Sequence, residues 1–335
     1  MNFELLKLSR HEIERLNPLR GQTILVTGGT GYVGKWIYYF VKHLNNQYEL
    51  DIKLILVARG IDGPFNIEIN LQSFVSFIRS DIRQIKNLPA HINYIIHAAS
   101  SPDNRLYMSN PIDSIDIITS GTKQLFEASL ELDGLKNILN LSSGQIYGAV
   151  NSDHITEDDF GSLNVGNIGS IYSEAKRYSE TLSLAYRTIH KLPIVQVRPF
   201  AFVGPLMDLN MPWAINNFVR DAIKFSKIKI VGNGSPIRSY MYPADMVYWI
   251  LVMLIYGKTG QAYNLGSNEG VSLFDLAKKI KNILGEKIDI EVLNMNESNF
   301  TFVPDISKVN KEFNLTIKVD FDTALKNTIN WFVNK

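Results

Sequence analysis

The sequence predicts an α/β fold, a doubly wound parallel sheet with a smaller C-terminal mixed α/β lobe. Three observations predict it. Short, almost wholly apolar β-rich runs alternate with helical patterns through the first half, as in a parallel sheet buried on both faces. A glycine-rich turn follows the first run directly and opens the first long helical stretch. The second half shifts to loops rich in Gly, Pro and Asn between helices. The 335 residues are 45% hydrophobic and 20% charged, an ordinary globular composition with enough chain for a sizeable core.

In chain order, Ser9 with Glu12 three residues on reads as a capping box, so a short amphipathic helix is expected there, in an N-terminal extension over 1–20 and not a signal peptide. The run Thr23-Ile24-Leu25-Val26-Thr27 is the first strand, and a helix is expected from 33 to about 45. Strands are expected at 53–58, 74–78 and 94–97, a helix at 111–132, and a strand at 137–141. A long helix over 173–190 leads to a strand at 194–198. Helices near 214–225, 244–256, 273–284 and 321–332 complete the pattern. The expected division is a dinucleotide-binding domain over 21–200 and a substrate lobe over 201–335, with a soft boundary across which segments can return to the first sheet.

Composition excludes several classes. With no cysteine, disulfides, thiolate catalysis and cysteine-ligated zinc are out, and no metal site is expected. A net charge of +1 offers no field or basic patch for nucleic acid or anionic membrane. No apolar run reaches the ~18 residues of a membrane span. A cytoplasmic enzyme is the expectation.

Thr27-Gly28-Gly29-Thr30-Gly31-Tyr32-Val33-Gly34 stands between strand and helix. Glycines 28, 31 and 34 let the backbone turn sharply, approach a pyrophosphate and pack helix on strand. The exposed N–H groups and the helix dipole then stabilise the phosphates. At the end of the second strand Ala58 cannot accept a bond from a ribose diol, whereas Arg59 can neutralise a 2′-phosphate. NADP(H) is therefore favoured, and Asp62 keeps NAD(H) open as the alternative. Asp81, followed by Ile82, reads as an adenine contact, and His97-Ala98-Ala99 ends a strand beside the cofactor with no catalytic role assigned to the histidine.

Tyr172 and Lys176 are four apart where a helix begins, which puts both on one face. An ammonium beside a phenol favours the phenolate, so a lowered Tyr172 pKa is expected, fit for exchanging a proton with a sugar hydroxyl or ketone. Lys176 can also hold the nicotinamide ribose. Upstream, Leu141-Ser142-Ser143-Gly144-Gln145-Ile146-Tyr147-Gly148 ends a strand and offers a hydroxyl to the same substrate oxygen.

Glycine loop, serine at a strand end and Tyr-x-x-x-Lys, in that order, resemble the short-chain dehydrogenase/reductase superfamily, with a Rossmann-type fold. Ser143 matches its catalytic hydroxyl residue. The segments Val197-Arg198-Pro199-Phe200-Ala201-Phe202-Val203-Gly204-Pro205 and Gly232-Asn233-Gly234-Ser235-Pro236-Ile237-Arg238-Ser239-Tyr240, with Asp245 and Tyr263-Asn264-Leu265-Gly266-Ser267, are similar to the extended branch. That branch is the NAD(P)-dependent epimerase/dehydratase family acting on nucleotide sugars. The resemblance runs from about 21 to 332. It implies a nucleotide-diphosphate sugar as partner, with Arg238 gripping the diphosphate and Asn217 at a helix start facing the phosphates. It also implies Pro199 on the cofactor side, and Ser101, Gly144 and Gln145 on the sugar. Arg198 and Arg220 read as structural or solvated. A homodimer through helices 111–132 and 173–190 is expected by analogy.

Departures narrow the chemistry. The family's 4,6-dehydratases carry an Asp-Glu pair after the catalytic hydroxyl residue, and its decarboxylases keep the glutamate. Here Gly144 and Gln145 stand there, and neither accepts a proton at neutral pH. The expectation is an NADP(H)-dependent oxidoreductase at carbon 4 of a nucleotide-activated hexose, reducing a 4-keto (6-deoxy) sugar for cell-surface polysaccharide precursors. The alternatives are an NAD-dependent 4-epimerase, then a dehydratase or decarboxylase, and most remotely a non-catalytic cofactor-sensing scaffold.

Overall fold

The computed structural model describes residues 7–61, 63–294 and 300–334. Asp62 and residues 1–6 of the N-terminal extension lie outside the described residues. The core is a seven-stranded parallel sheet. Its strands are β1 (Thr23–Thr27), β2 (Lys53–Ala58), β3 (Val75–Arg79), β4 (Tyr94–His97), β5 (Asn137–Leu141), β6 (Ile194–Pro199) and a late one, β10 (Ala262–Leu265). Their order is β10-β6-β5-β4-β1-β2-β3. The chain starts in the middle, builds outward to β3, then crosses back over β1 to β4. That reversal opens a crevice at the carboxyl ends of β1 and β4, where doubly wound sheets take their ligands. Register places Thr27 beside Val57 on one side and His97 on the other.

Every residue of β1, β4 and β5 is buried. Helices α2 (Tyr32–Tyr48), α3 (Gly63–Asn70), α4 (Asn104–Ser109), α5 (Pro111–Ser129) and α6 (Ile171–His190) follow the strands. Pro111 supplies a preset φ at the first turn of α5. The short helix α1 (Arg10–Leu16) begins at a complete capping box: Glu12 N–H donates to Ser9 Oγ at 3.3 Å, and Ser9 N–H to Glu12 Oε2 at 2.8 Å.

Beyond residue 200 the chain splits between two tasks. Helix α7 (Ala214–Phe225), α9 (Leu273–Leu284), α10 (Ser307–Phe313) and α11 (Phe321–Val333) surround small sheets. One consists of β7 (Ala201–Phe202), β9 (Ile237–Met241), β11 (Gly270–Ser272) and β13 (Thr301–Phe302), and the other pairs β8 (Lys227–Ile230) with β12 (Asp289–Val292). The stretch 243–265 instead belongs to the main sheet. Helix α8 (Pro243–Tyr256) is buried from Met246 through Leu254 and packs on α2 and β5. After it, β10 pairs parallel with β6, Ala262 beside Gln196 and Leu265 beside Pro199. A helix apolar on all sides is stable only when enclosed. Burying each large side chain contributes about 1.5–3 kcal/mol, so this return stabilises the dinucleotide-binding half directly.

Candidate active site

The turn after β1 is built by glycines with different jobs. Gly28 has φ +68°, and a Cβ there would lie 2.5 Å from the Ala98 carbonyl oxygen. A Cβ on Gly34 would lie 2.6 Å from Gly29, so the first turn of α2 can rest on the loop only without one. Gly31 differs. It is the N-cap of α2 with ordinary extended backbone, and its Cβ would meet only the Gly28 oxygen at 3.2 Å. Folding does not require this glycine, and the space it leaves faces the N-terminus of α2, which no side chain caps. A pyrophosphate fits that cradle, received by N–H groups over Tyr32, Val33 and Gly34. Thr30 stands part-buried beside it. The Tyr32 ring turns away and stacks on Phe202, 6.5 Å between centroids, so Tyr32 offers its backbone.

At the adenosine end, Arg59 is exposed just past β2, and its carbonyl accepts from Arg79 Nε at 3.2 Å. Two guanidinium-bearing residues thus converge where β2 and β3 end. Asp81 is held in place by Arg83, which bonds both its oxygens and keeps the carboxyl below its ordinary pKa. Arg83 also bonds Asp113 at 2.7 Å and Asp116 at 2.9 Å on α5. The carboxylate anchors this turn to α5, and Oδ2, with one bond from Arg83, keeps capacity to accept another. The Ile82 side chain packs inward on Gly121.

His97 is a core histidine. Its ring is buried, with Nδ1 2.7 Å from Thr27 Oγ1 and Nε2 3.1 Å from Thr122 Oγ1. Burial, with the charge of Lys176, pushes its pKa down to about 3. The ring is a neutral core group, and Thr27 Oγ1 also accepts from the Ala98 N–H at 3.0 Å. Ala98 and Ala99 are half-buried directly after it.

Tyr172 and Lys176 occupy the first turns of α6, both buried. The expected fall of the Tyr172 pKa is not what the structure gives. Burial pushes the phenol up to about 12, offset in part by hydrogen bonds with the Ser143 and Ser100 side chains. Burial likewise pulls Lys176 down to about 8. Its ammonium donates to the Leu141 carbonyl at 2.6 Å and lies 6.0 Å from the Tyr172 ring centroid. Desolvating a phenolate costs more here than a lysine turned toward another acceptor returns. Tyr172 is therefore a protonated acid in this state.

Ser143 Oγ accepts from the Gln145 N–H at 3.1 Å, which leaves its own proton for an oxygen beside Tyr172. Gly144 is buried, and a Cβ there would lie 2.9 Å from Phe302 Cζ and 3.0 Å from Phe200 Cε2. Gln145 is half-buried next to it. Ser101 is exposed, and its hydroxyl caps the turn at Asp103 N–H, 3.3 Å away. Its neighbour Ser100, overlooked in the sequence, is the residue that meets the phenol. Tyr107 was overlooked too: it stacks on Tyr172 at 5.6 Å and 21°. The signal for Ser100 was its place directly after a strand-ending Ala98-Ala99.

On the lobe side, Asn217 lies in the first turn of α7, its N–H bonded to the Trp213 carbonyl at 3.0 Å. Arg238 lies over the Phe300 ring at 4.6 Å and the Phe302 ring at 5.8 Å. Its Nη1 donates to the Ile237 carbonyl at 3.0 Å, and among the described residues no carboxylate pairs with it. That leaves guanidinium N–H groups for an anion. Pro199 ends β6 beside Leu265. Arg198 is structural, paired with Glu180 at 2.9 and 3.0 Å and bonded to the Tyr147 hydroxyl. Arg220 pairs with Asp221. Among the described residues no three His, Cys, Asp or Glu side chains cluster as a metal site, and no helix is long and apolar enough to cross a membrane.

Comparison with known proteins agrees with this architecture. The UDP-glucuronic acid decarboxylase 1 of Xenopus tropicalis is 27% identical over 317 residues, covering 92% of this chain and 72% of the relative. Among solved structures, the UDP-glucose 4-epimerase of Thermotoga maritima, with UDP-glucose, superposes with a TM-score of 0.79 at 22% identity, covering 93% of this chain and 99% of the other. The dTDP-glucose 4,6-dehydratase of Bacillus anthracis, in complex with NAD, gives 0.78 at 24% identity, covering 94% and 97%. Residues 24–266 match the NAD dependent epimerase/dehydratase family, and with a phosphate turn, a Tyr/Lys pair and a hydroxyl-bearing strand end in one crevice, the chain belongs to that family.

Proposed function

We propose that this chain is an NADP(H)-dependent reductase of a nucleotide-linked 4-keto hexose. One observation carries the reading. The positions directly after Ser143 hold Gly144 and Gln145, neither of them a carboxylate, and the side chains that draw the Tyr172 phenol back down against burial are the hydroxyls of Ser143 and Ser100. This set can donate a proton to one ketone oxygen. It has no carboxylate there to take a second proton from carbon, as elimination of water requires. The decarboxylation named for the Xenopus relative is not carried over, because Gln145 supplies no carboxylate.

In the proposed reaction the turn at Gly31 and the free N–H groups at the start of α2 would hold the pyrophosphate of the dinucleotide, which when bound would supply the hydride to carbon 4. Ser143 polarises the ketone and Tyr172 gives the proton. Lys176, close to the phenol, holds the nicotinamide ribose and limits the charge left behind. Arg238 and the start of α7 near Asn217 take the diphosphate. Arg59, exposed beside Ala58, reads the 2′-phosphate. Replacing Arg59 by Ala weakens NADPH about tenfold or more and NADH little; calorimetry showing equal losses removes that role. The direct test mixes NADPH with UDP- or dTDP-4-keto-6-deoxyglucose. Stoichiometric loss of absorbance at 340 nm is expected, and no loss contradicts the reductase.

A second reading, a 4-epimerase with retained NAD, is favoured by the NAD in the Bacillus anthracis neighbour. It requires purified protein that carries its dinucleotide and shows no net oxidation. A homodimer is the proposed assembly, supported by apolar residues left exposed on the paired helices α5 and α6, Ile112, Tyr178 and Leu184 among them. Action in the cytoplasm on polysaccharide precursors belongs to the same proposal.

A further inference from the structure

An aromatic ladder joins the two ends of the cleft. The Arg238 guanidinium lies over Phe300 and Phe302. The Phe300 and Phe302 rings stack at 6.2 Å, and Phe302 meets Phe200 at 4.6 Å. Phe200 in turn packs on Tyr147 at 6.2 Å. The ladder ends on Gly144, where a side chain would collide with both Phe302 Cζ and Phe200 Cε2. Phe200 is buried, whereas Phe302 keeps part of its surface open.

Gly144 directly follows Ser143, whose hydroxyl meets that of Tyr172. A carbon held between those hydroxyls has its ring neighbours within a few ångströms of Gly144, hence against the Phe302 ring. Charge around this wall is already committed. Lys176 donates to the Leu141 carbonyl and Arg177 to the carbonyls of Ile146 and Gly161, and in the reading above the free N–H groups of Arg238 are taken by the diphosphate. An aromatic face carries partial negative charge and repels an anion. A carboxylate set against it loses water without gaining a partner, while a methyl group gains by contact.

We propose that Phe302, backed by Phe200, determines which sugar the cleft takes: a hexose whose carbon 5 carries an apolar methyl group, discriminated from one carrying a carboxylate. This deepens the reading above and rests on it, since it assumes a nucleotide-linked hexose reacting at carbon 4.

The test is calorimetry in saturating NADP+, with UDP- and dTDP-linked 6-deoxyglucose, glucose and glucuronate, and with UDP and dTDP alone. Wild-type protein is expected to bind the 6-deoxy sugar at least about tenfold more tightly than the glucuronate. Phe302→Leu keeps that ratio, Phe302→Asn lowers it to below about threefold, and affinity for the bare diphosphate stays within about twofold in both. Equal or tighter binding of the glucuronate by wild type, or an unchanged ratio in a folded Phe302→Asn variant, overturns the proposal. If neither variant folds, the wild-type ratio decides alone. Binding of NADP+ but of no nucleotide sugar overturns the parent reading and this one with it. Binding of every sugar with no discrimination overturns this one only.

Discussion

Tyr172 shows how a residue's chemistry depends on what surrounds it more than on its spacing. Four residues to a lysine suggest an acidified phenol, yet burial holds the phenol at about 12 and lysine turns to a main-chain oxygen. A protonated phenol between two serine hydroxyls is suited to giving a proton to a ketone. Tyr172→Phe removes that proton and should lower turnover by about 10²–10⁴-fold while dinucleotide affinity stays within about twofold; near-wild-type turnover in steady-state assays would take Tyr172 out of the reaction. The direction of the shift was not legible in the sequence, because desolvation is set by α4, α5 and the 98–103 loop packing over the ring. Ser100 and Tyr107 were given no role for a related reason: the 98–103 loop has no periodicity and α4 is only six residues long, so beyond the place of Ser100 after Ala98-Ala99 little indicates which side chains turn inward. His97 and Asp81 were readable as residues near the crevice, but not as groups already engaged by Thr27 and Thr122 or by Arg83.

Among the elements, strands β1 to β6 and helix α2 were plain in the sequence, since an apolar run bounded by turn residues has few other ways to bury itself, whereas the short strands β7 to β13 beyond residue 200 were not expected. The phosphate turn was legible as a pattern, but its division of labour was not. Gly28 and Gly34 answer to contacts with Ala98 and Gly29, which exist only in the folded chain. Gly31 has only the looser contact, 3.2 Å to the Gly28 oxygen, and an ordinary extended backbone. Gly31→Ala is therefore expected to melt within a few degrees of wild type yet bind dinucleotide about tenfold or more weakly, because the added methyl occupies the pyrophosphate's approach. Gly28→Ala, strained at positive φ and driven into a carbonyl, should cost at least 1 kcal/mol and lower the melting temperature visibly. Thermal melts paired with calorimetry separate the two, and a Gly31→Ala variant with intact affinity would remove the cradle.

For the whole molecule, a division near residue 200 follows from where the loops become polar. The chain instead gives 243–265 back to the main sheet through α8 and β10. Sequence shows α8 as a buried helix without saying which surface encloses it, since contact with α2 and β5 is a long-range pairing. A chain ending at residue 242 should therefore fail to fold as an independent dinucleotide-binding unit, leaving β6 unpaired on one side and α2 uncovered; a cooperative melt and NADP+ binding by that fragment would contradict this. In the proposed function, the lobe that remains supplies Arg238, Asn217 and Phe302 to the sugar nucleotide, and the two halves meet at Ser143 and Tyr172.

The most direct measurement follows the hydride itself. With NADPH carrying deuterium on nicotinamide carbon 4 and a nucleotide-linked 4-keto-6-deoxyhexose, mass spectrometry should find one deuterium on carbon 4 of the sugar for each NADPH consumed. A product without deuterium, or interconversion of 4-hydroxy sugars with no consumption of NADPH, would contradict the reductase reading.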